Sequence, residues 1–211
     1  MISHSYPTIS QNDLEAVSRV LSSSQLSKGE LVPKFEKEFS NFIGTKFGVA
    51  TNTGTSALHL YLLTLEVKPG EEIILPSYVC TSVLNAITYL RAKPVLADIN
   101  PVDFNISFAS ASKKITNFTR AIIVPHMFGL PADLGKFLKL KDIPIIEDCA
   151  MAVGATYQGK KVGSLGDAAF FSFYATKMLT TGYGGMFLTN SKILADAVSD
   201  LRNFDERIDY K

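Results

Sequence analysis

The 211-residue chain has only two cysteines, Cys80 and Cys149, and they share no CxxC spacing. A disulfide framework and a cysteine-built metal site are both without support, so no metal is expected. The two thiols stand among apolar neighbours. An excess of charge of one sign is missing as well: 21 Lys and Arg face 20 Asp and Glu, for a net charge of +1. Such a balance offers no basic surface to nucleic acid or another polyanion. No run reaches about eighteen apolar residues, and the opening MISHSYPTIS has no apolar segment of the signal-peptide kind. These absences predict a soluble, cytoplasmic protein without a membrane partner. Two nucleotide signatures are also absent: there is no GxGxxG after the first strand-like run and no GxxxxGK[ST]. A nicotinamide site and a nucleotide-hydrolysing site are thereby disfavoured.

What is present is a core-forming composition, 46% hydrophobic against 19% charged, sized for one large domain or a domain with a fragment of another. Ser10 can cap a helix with Asp13 three residues on, and Leu14, Val17, Val20 and Leu21 then share a face. A second helix carries Val32, Phe35, Phe39, Phe42 and Ile43, with Gly44 placed to stop it. Short β-rich runs follow: FGVAT, EEIILPS, KPVLADI, RAIIVPH, IPIIEDC, AAFFSFYA and GGMFLTN. Between most of them lie helical patterns, TSALHLYLLTL, CTSVLNAITYL, DLGKFLKL and SKILADAVSDLRNF. Strands without polar alternation, interleaved with helices, predict an α/β fold with a doubly wound, mainly parallel sheet.

Ligands of such sheets collect beyond the carboxyl ends of the strands, and three features fall there. In TNTGTSALHL, Gly54 permits close backbone approach, and the amides of Thr55 and Ser56 open a helix beside two hydroxyls. Free N–H groups and the helix dipole suit a phosphate, although an ordinary N-cap has the same residues. IPIIEDCA ends an apolar strand in Glu147 and Asp148, which suit a helix cap, an ion pair or a ligand. SFYATKMLTTGYGG sets Lys177 ahead of a run of small residues; it is either a solvated charge or an amine kept dry enough to react. Taken together, an anion cradle, an aspartate and a lysine at one sheet edge are the parts that hold pyridoxal 5'-phosphate.

Longer stretches make the chain resemble a known family. GELVPKFEKEFSNFIGTKFGVATNTGTSALHL, GEEIILPSYVCTSVLNAI, VPHMFGLPADL, IIEDCAMAVGATYQGKKVGSLGDAAFFSFYATKMLTTGYGGMFLTN and a final LRNF are similar, in order and spacing, to the DegT/DnrJ/EryC1/StrS family of pyridoxal-phosphate sugar aminotransferases. The resemblance implies a fold-type-I large domain over residues 1–211. It implies that Lys177 is the catalytic lysine that holds the cofactor and shuttles a proton. Asp148 would partner the pyridine nitrogen, and Gly54, Thr55, Ser56 and Ser172 would surround the phosphate. A lysine at 177 also sets the chain apart from the family's sugar dehydratases, which carry histidine there.

Three positions depart from the family pattern. Cys80, in PSYVC, stands where an aromatic residue usually stacks on the cofactor ring, with Tyr78 two residues earlier. Met151 replaces the glutamine or histidine that approaches the ring hydroxyl, and a thioether donates no hydrogen bond. Tyr183 stands where glutamate is usual. His126 matches a family histidine near the site and equally suits a structural role, while His59 reads as packed or rim-exposed. The resemblance further implies a nucleotide-linked keto-sugar and an amino donor, glutamate, as substrates, and a homodimer. The family's smaller C-terminal domain is expected to be absent from this chain. An alternative expectation is a truncated or split-gene product that binds cofactor, or a separately encoded C-terminal half, without turnover.

Overall fold

Apolar runs that alternate two burial directions build the centre of the molecule. The computed structural model describes residues 5–27 and 29–203. Strands β1 (Phe47–Thr51), β2 (Glu72–Pro76), β3 (Lys93–Ala97), β4 (Thr119–Pro125), β5 (Ile145–Asp148), β8 (Ala168–Ser172) and β9 (Gly185–Thr189) form one sheet in the order β1-β9-β8-β5-β4-β2-β3. The pairs β2–β3, β2–β4, β4–β5 and β5–β8 are parallel, and β9 runs antiparallel to both β8 and β1. Two short strands, β6 (Thr156–Tyr157) and β7 (Lys160–Lys161), make a separate hairpin.

Successive strand residues feed cores on opposite faces, as the period of two requires. Ile73, Leu75, Ile123, Phe170 and Phe187 pack with α3 (Gly54–Thr64), α4 (Thr81–Tyr89) and α6 (Lys192–Arg202). On the other face, Phe171, Met186 and Leu188 meet Phe39 and Ile43 of α2 (Leu31–Ile43), while Ile74, Ile122 and Val124 pack around Phe137 and the short α5 (Phe108–Ser112). Helices on both faces are what the unalternated strands predict.

The helix signals hold at the ends. Helix α1 (Gln11–Ser22) starts in a capping box, Ser10 with Asp13, and α2 stops at Gly44, whose φ of 97° lies in the left-handed region. The face of α1, however, buries nothing: Leu14, Val17 and Leu21 are more than half exposed. DLGKFLKL corrects the sequence reading, for it forms only a 3-10 turn at Phe137–Lys139. Asp133 spends its carboxylate on the Tyr157 hydroxyl and the Gly135 amide, and Pro144 disfavours helical backbone at Ile143 just before it. Cys80 is also corrected: it is exposed at the start of α4, whereas Cys149 is buried. Phe204 of LRNF, the opening MISH and Lys211 lie outside the described residues.

Candidate active site

The sheet order brings the ends of β1, β5 and β8 and the start of β9 to one edge. Helix α3 starts directly after β1, with Thr53 as its cap. The Thr53 Oγ1 accepts the Ser56 amide at 3.0 Å and pairs with the Ser56 hydroxyl at 2.9 Å. Two glycines let this turn sit against the sheet. A Cβ on Gly54 would lie 2.9 Å from the Phe171 carbonyl oxygen, and one on Gly185 would lie 2.3 Å from the Thr53 carbonyl carbon. The missing side chain at Gly54 lets the turn sit against the end of β8.

Around this turn lies a cavity of about 360 Å³, lined by Gly54, Thr55, Cys80, Asp148, Ser172 and Lys177 among others. Lys177 sits on a turn five residues beyond β8, half-buried, with its backbone amide bonded to the Tyr174 carbonyl at 2.9 Å. The ends of its loop are tied by Phe173 N–H to the Gly184 carbonyl, 2.8 Å, and Thr181 N–H to the Phe173 carbonyl, 3.0 Å. Tyr183 also lines the cavity.

Asp148 ends β5 with 7% of its surface exposed. Its Oδ1 accepts the Ala150 amide at 3.0 Å. Burial pushes the carboxyl above the ordinary range, partly countered by that amide and by the nearby charge of Lys177. A buried carboxylate facing a cavity wants a cationic or protonated partner.

Two residues expected with this set are placed apart from it. Ser56 lines a second cavity of about 790 Å³ with His59 and the Glu36–Arg202 ion pair, and its amide is already taken by Thr53. Met151 is 41% exposed and is not among the residues lining the cavity. Tyr78 turns away too, packing its ring on Phe104 and Phe128 at 6.0 and 6.3 Å. The strand ends at Pro76, so the alternation does not carry to Tyr78.

Glu147, beside Asp148, is built into the site by contacts its position in the sequence does not announce. Fully buried, it accepts hydrogen bonds from the amides of Gly163 (2.8 Å), Leu165 (2.8 Å) and Gly166 (2.7 Å), and pairs with His126 Nε2 at 3.1 Å. Burial works to raise its carboxyl, but the His126 bond and the backbone amides outweigh it and hold the group below its usual range. The signal that could have found it is GSLG, whose glycines allow a backbone loop to close on a carboxylate.

The profile of the DegT/DnrJ/EryC1/StrS aminotransferase family matches residues 7–209. The chain belongs to that family. It is 41% identical over 205 residues to the GDP-perosamine synthase of Caulobacter vibrioides, covering 95% of this chain and 55% of that protein. A solved structure, the putative sugar aminotransferase Spr1654 from Streptococcus pneumoniae in its PLP form, superposes with a TM-score of 0.90 at 28% identity, over 95% of this chain and 57% of that one. DesI in the presence of its TDP-sugar product gives 0.86 at 32% identity, over 92% and 50%. The chain thus spans about half the length of these relatives. Its fold is the fold-type-I α/β architecture of pyridoxal-phosphate aminotransferases. Among the described residues, no helix is long and apolar enough to cross a membrane.

Proposed function

We propose that the chain is the cofactor-binding large domain of an aminotransferase that moves an amino group, from glutamate, to a nucleotide-linked keto-sugar. One observation carries the reading: a single cavity gathers an amine, Lys177, a buried carboxylate, Asp148, and the first turn of α3. Its volume, about 360 Å³, falls in the range of small-molecule sites. The donor set suits pyridoxal phosphate, with a carboxylate for a ring cation, an amine for an aldehyde, and a helix start with hydroxyls for a phosphate.

When bound, pyridoxal phosphate supplies an aldehyde carbon that bonds amines and a ring that accepts the electron pair left by a departing proton. Thr55 and Ser172, with the amides opening α3, would hold the phosphate. Asp148 would stabilise positive charge on the ring nitrogen, which relieves the burial of its own charge. Lys177 Nζ would bond the cofactor at rest, then take a proton from one carbon and return it to another. The turn of Lys177 fixes its backbone, so the amine moves on its side chain alone. Cys80 would border the ring without stacking on it, and Tyr183 would form part of the wall. A homodimer is the assembly this reading expects.

The test is borohydride reduction of the protein with added pyridoxal phosphate, followed by peptide mass mapping. A reduced adduct on Lys177, lost in Lys177→Ala, is expected. An adduct elsewhere, or none, would remove the proposal.

A further inference from the structure

Glu147 and Asp148 are consecutive on β5, so their side chains leave opposite faces of the sheet. Any rotation of the strand end that frees one swings the other. Glu147 is held from two directions. Three backbone amides between Gly163 and Gly166 reach its two oxygens, and His126, from the segment after β4, reaches Oε2. His126 is itself oriented. The Ala132 amide donates to its Nδ1 at 3.0 Å, so Nδ1 carries the lone pair and the proton sits on Nε2, facing Glu147. The His126 backbone closes the circuit, since its N–H donates to the Asp148 carbonyl at 3.0 Å.

The His126, Glu147 and Cys149 ligand atoms lie within 4.8 Å of one another, yet they do not make a metal site. The histidine lone pair belongs to Ala132, and both carboxylate oxygens are taken up by donors. Nor is packing alone a sufficient account. A fully buried, ionised carboxylate is a costly filler that an apolar side chain of similar volume could replace. What an apolar residue could not do is fix the strand end about its own axis.

We propose that Glu147 is a positioning residue, acting with His126 as its Nε2–H donor to aim the Asp148 carboxylate into the cavity. The inference rests on the cofactor reading above. Titratable groups around this circuit are Asp148 and Cys149 on or next to β5, and Lys177 across the cavity.

Two isosteres separate positioning from bulk stability. His126→Gln keeps a donor at the Nε2 position and loses the acceptor for Ala132. His126→Asn keeps the acceptor and loses the donor. Each is compared with Glu147→Gln in the first of two measurements, and the second is made on the wild-type chain. The first is the visible absorbance of added pyridoxal phosphate, titrated with pH. A ring nitrogen that loses its aimed carboxylate withdraws less charge, so the linking nitrogen holds its proton to higher pH. We expect His126→Gln to titrate as wild type, and His126→Asn and Glu147→Gln to move up by at least about half a pH unit. Melting temperature is expected to fall in all three. Equal shifts in the two histidine variants, or no shift in any, would overturn the proposal.

The second is the ring-nitrogen NMR spectrum of the cofactor-free chain, simple to assign with three histidines. His126 should be neutral with its proton on Nε2. A proton on Nδ1, or on both nitrogens at neutral pH, would overturn the proposal. A wild-type chain that takes up no cofactor would sink the function proposed above, and the histidine spectrum would still decide this one.

Discussion

At the scale of single residues, two neighbouring carboxyls respond to pH with opposite signs. Asp148 is raised by burial, so the folded chain holds its proton better than the unfolded chain does. Its ionisation therefore costs stability as pH rises from about 4 through the raised folded value, and the cost is absent below that window. Glu147 is lowered, so its contribution is present above about 4 and lost as pH falls through the depressed folded value. Asp148→Asn keeps an oxygen for the Ala150 amide and removes the buried charge. In the cofactor-free chain it should stabilise by on the order of 1 kcal/mol at neutral pH, with the gain vanishing towards pH 4. Thermal melting across pH checks this, and a lower melting temperature at neutral pH would contradict it. Lys177, Asp148, Thr55 and Ser172 were legible in sequence because each ends or follows an apolar run at the sheet edge. The grip on Glu147 was harder to read, since its donors are backbone amides sixteen to nineteen residues away, marked in the sequence only by the glycines of GSLG.

Among the elements, the junction of β1, α3 and β9 is the tightest point near the site. Gly185→Ala would drive a Cβ into the Thr53–Gly54 peptide, whose atoms lie 2.3–2.4 Å away and belong to backbone that cannot step aside. A loss of about 1–3 kcal/mol is expected. Gly182→Ala, with φ at 80° but open space around it, should cost only about 1 kcal/mol from conformation. Urea denaturation of both variants gives the comparison, and equal losses would remove the claim that contact dominates. The alternation of strands and helices was readable from periodicity alone. The antiparallel placement of β9 was not, because a fully buried strand reads alike in either direction. DLGKFLKL misled because helical spacing was present while its first carboxylate was committed to Tyr157.

For the molecule as a whole, α1 is the anomaly. A 12-residue helix with a good cap but no buried residue is marginal in water. Its apolar stripe, Leu14, Val17 and Leu21, is exposed, so it contributes little to the fold. Leu14→Glu with Leu21→Glu should leave the unfolding free energy, from urea denaturation, within about 0.5 kcal/mol of wild type. Sedimentation velocity should show less self-association in that double variant, as expected when an exposed apolar patch is charged. A large drop in stability would mean the stripe packs within the chain.

The antiparallel β9 has one more consequence. Because β8 and β9 are neighbours in the ladder, the stretch from Phe173 to Gly184 leaves the sheet and returns beside its point of departure. A peptide cut inside that excursion would part the chain without parting the sheet. The carboxyl-side fragment would stay zipped between β1 and β8, and the two pieces would separate only on unfolding. Covalent continuity within the lysine loop is therefore dispensable to the sheet.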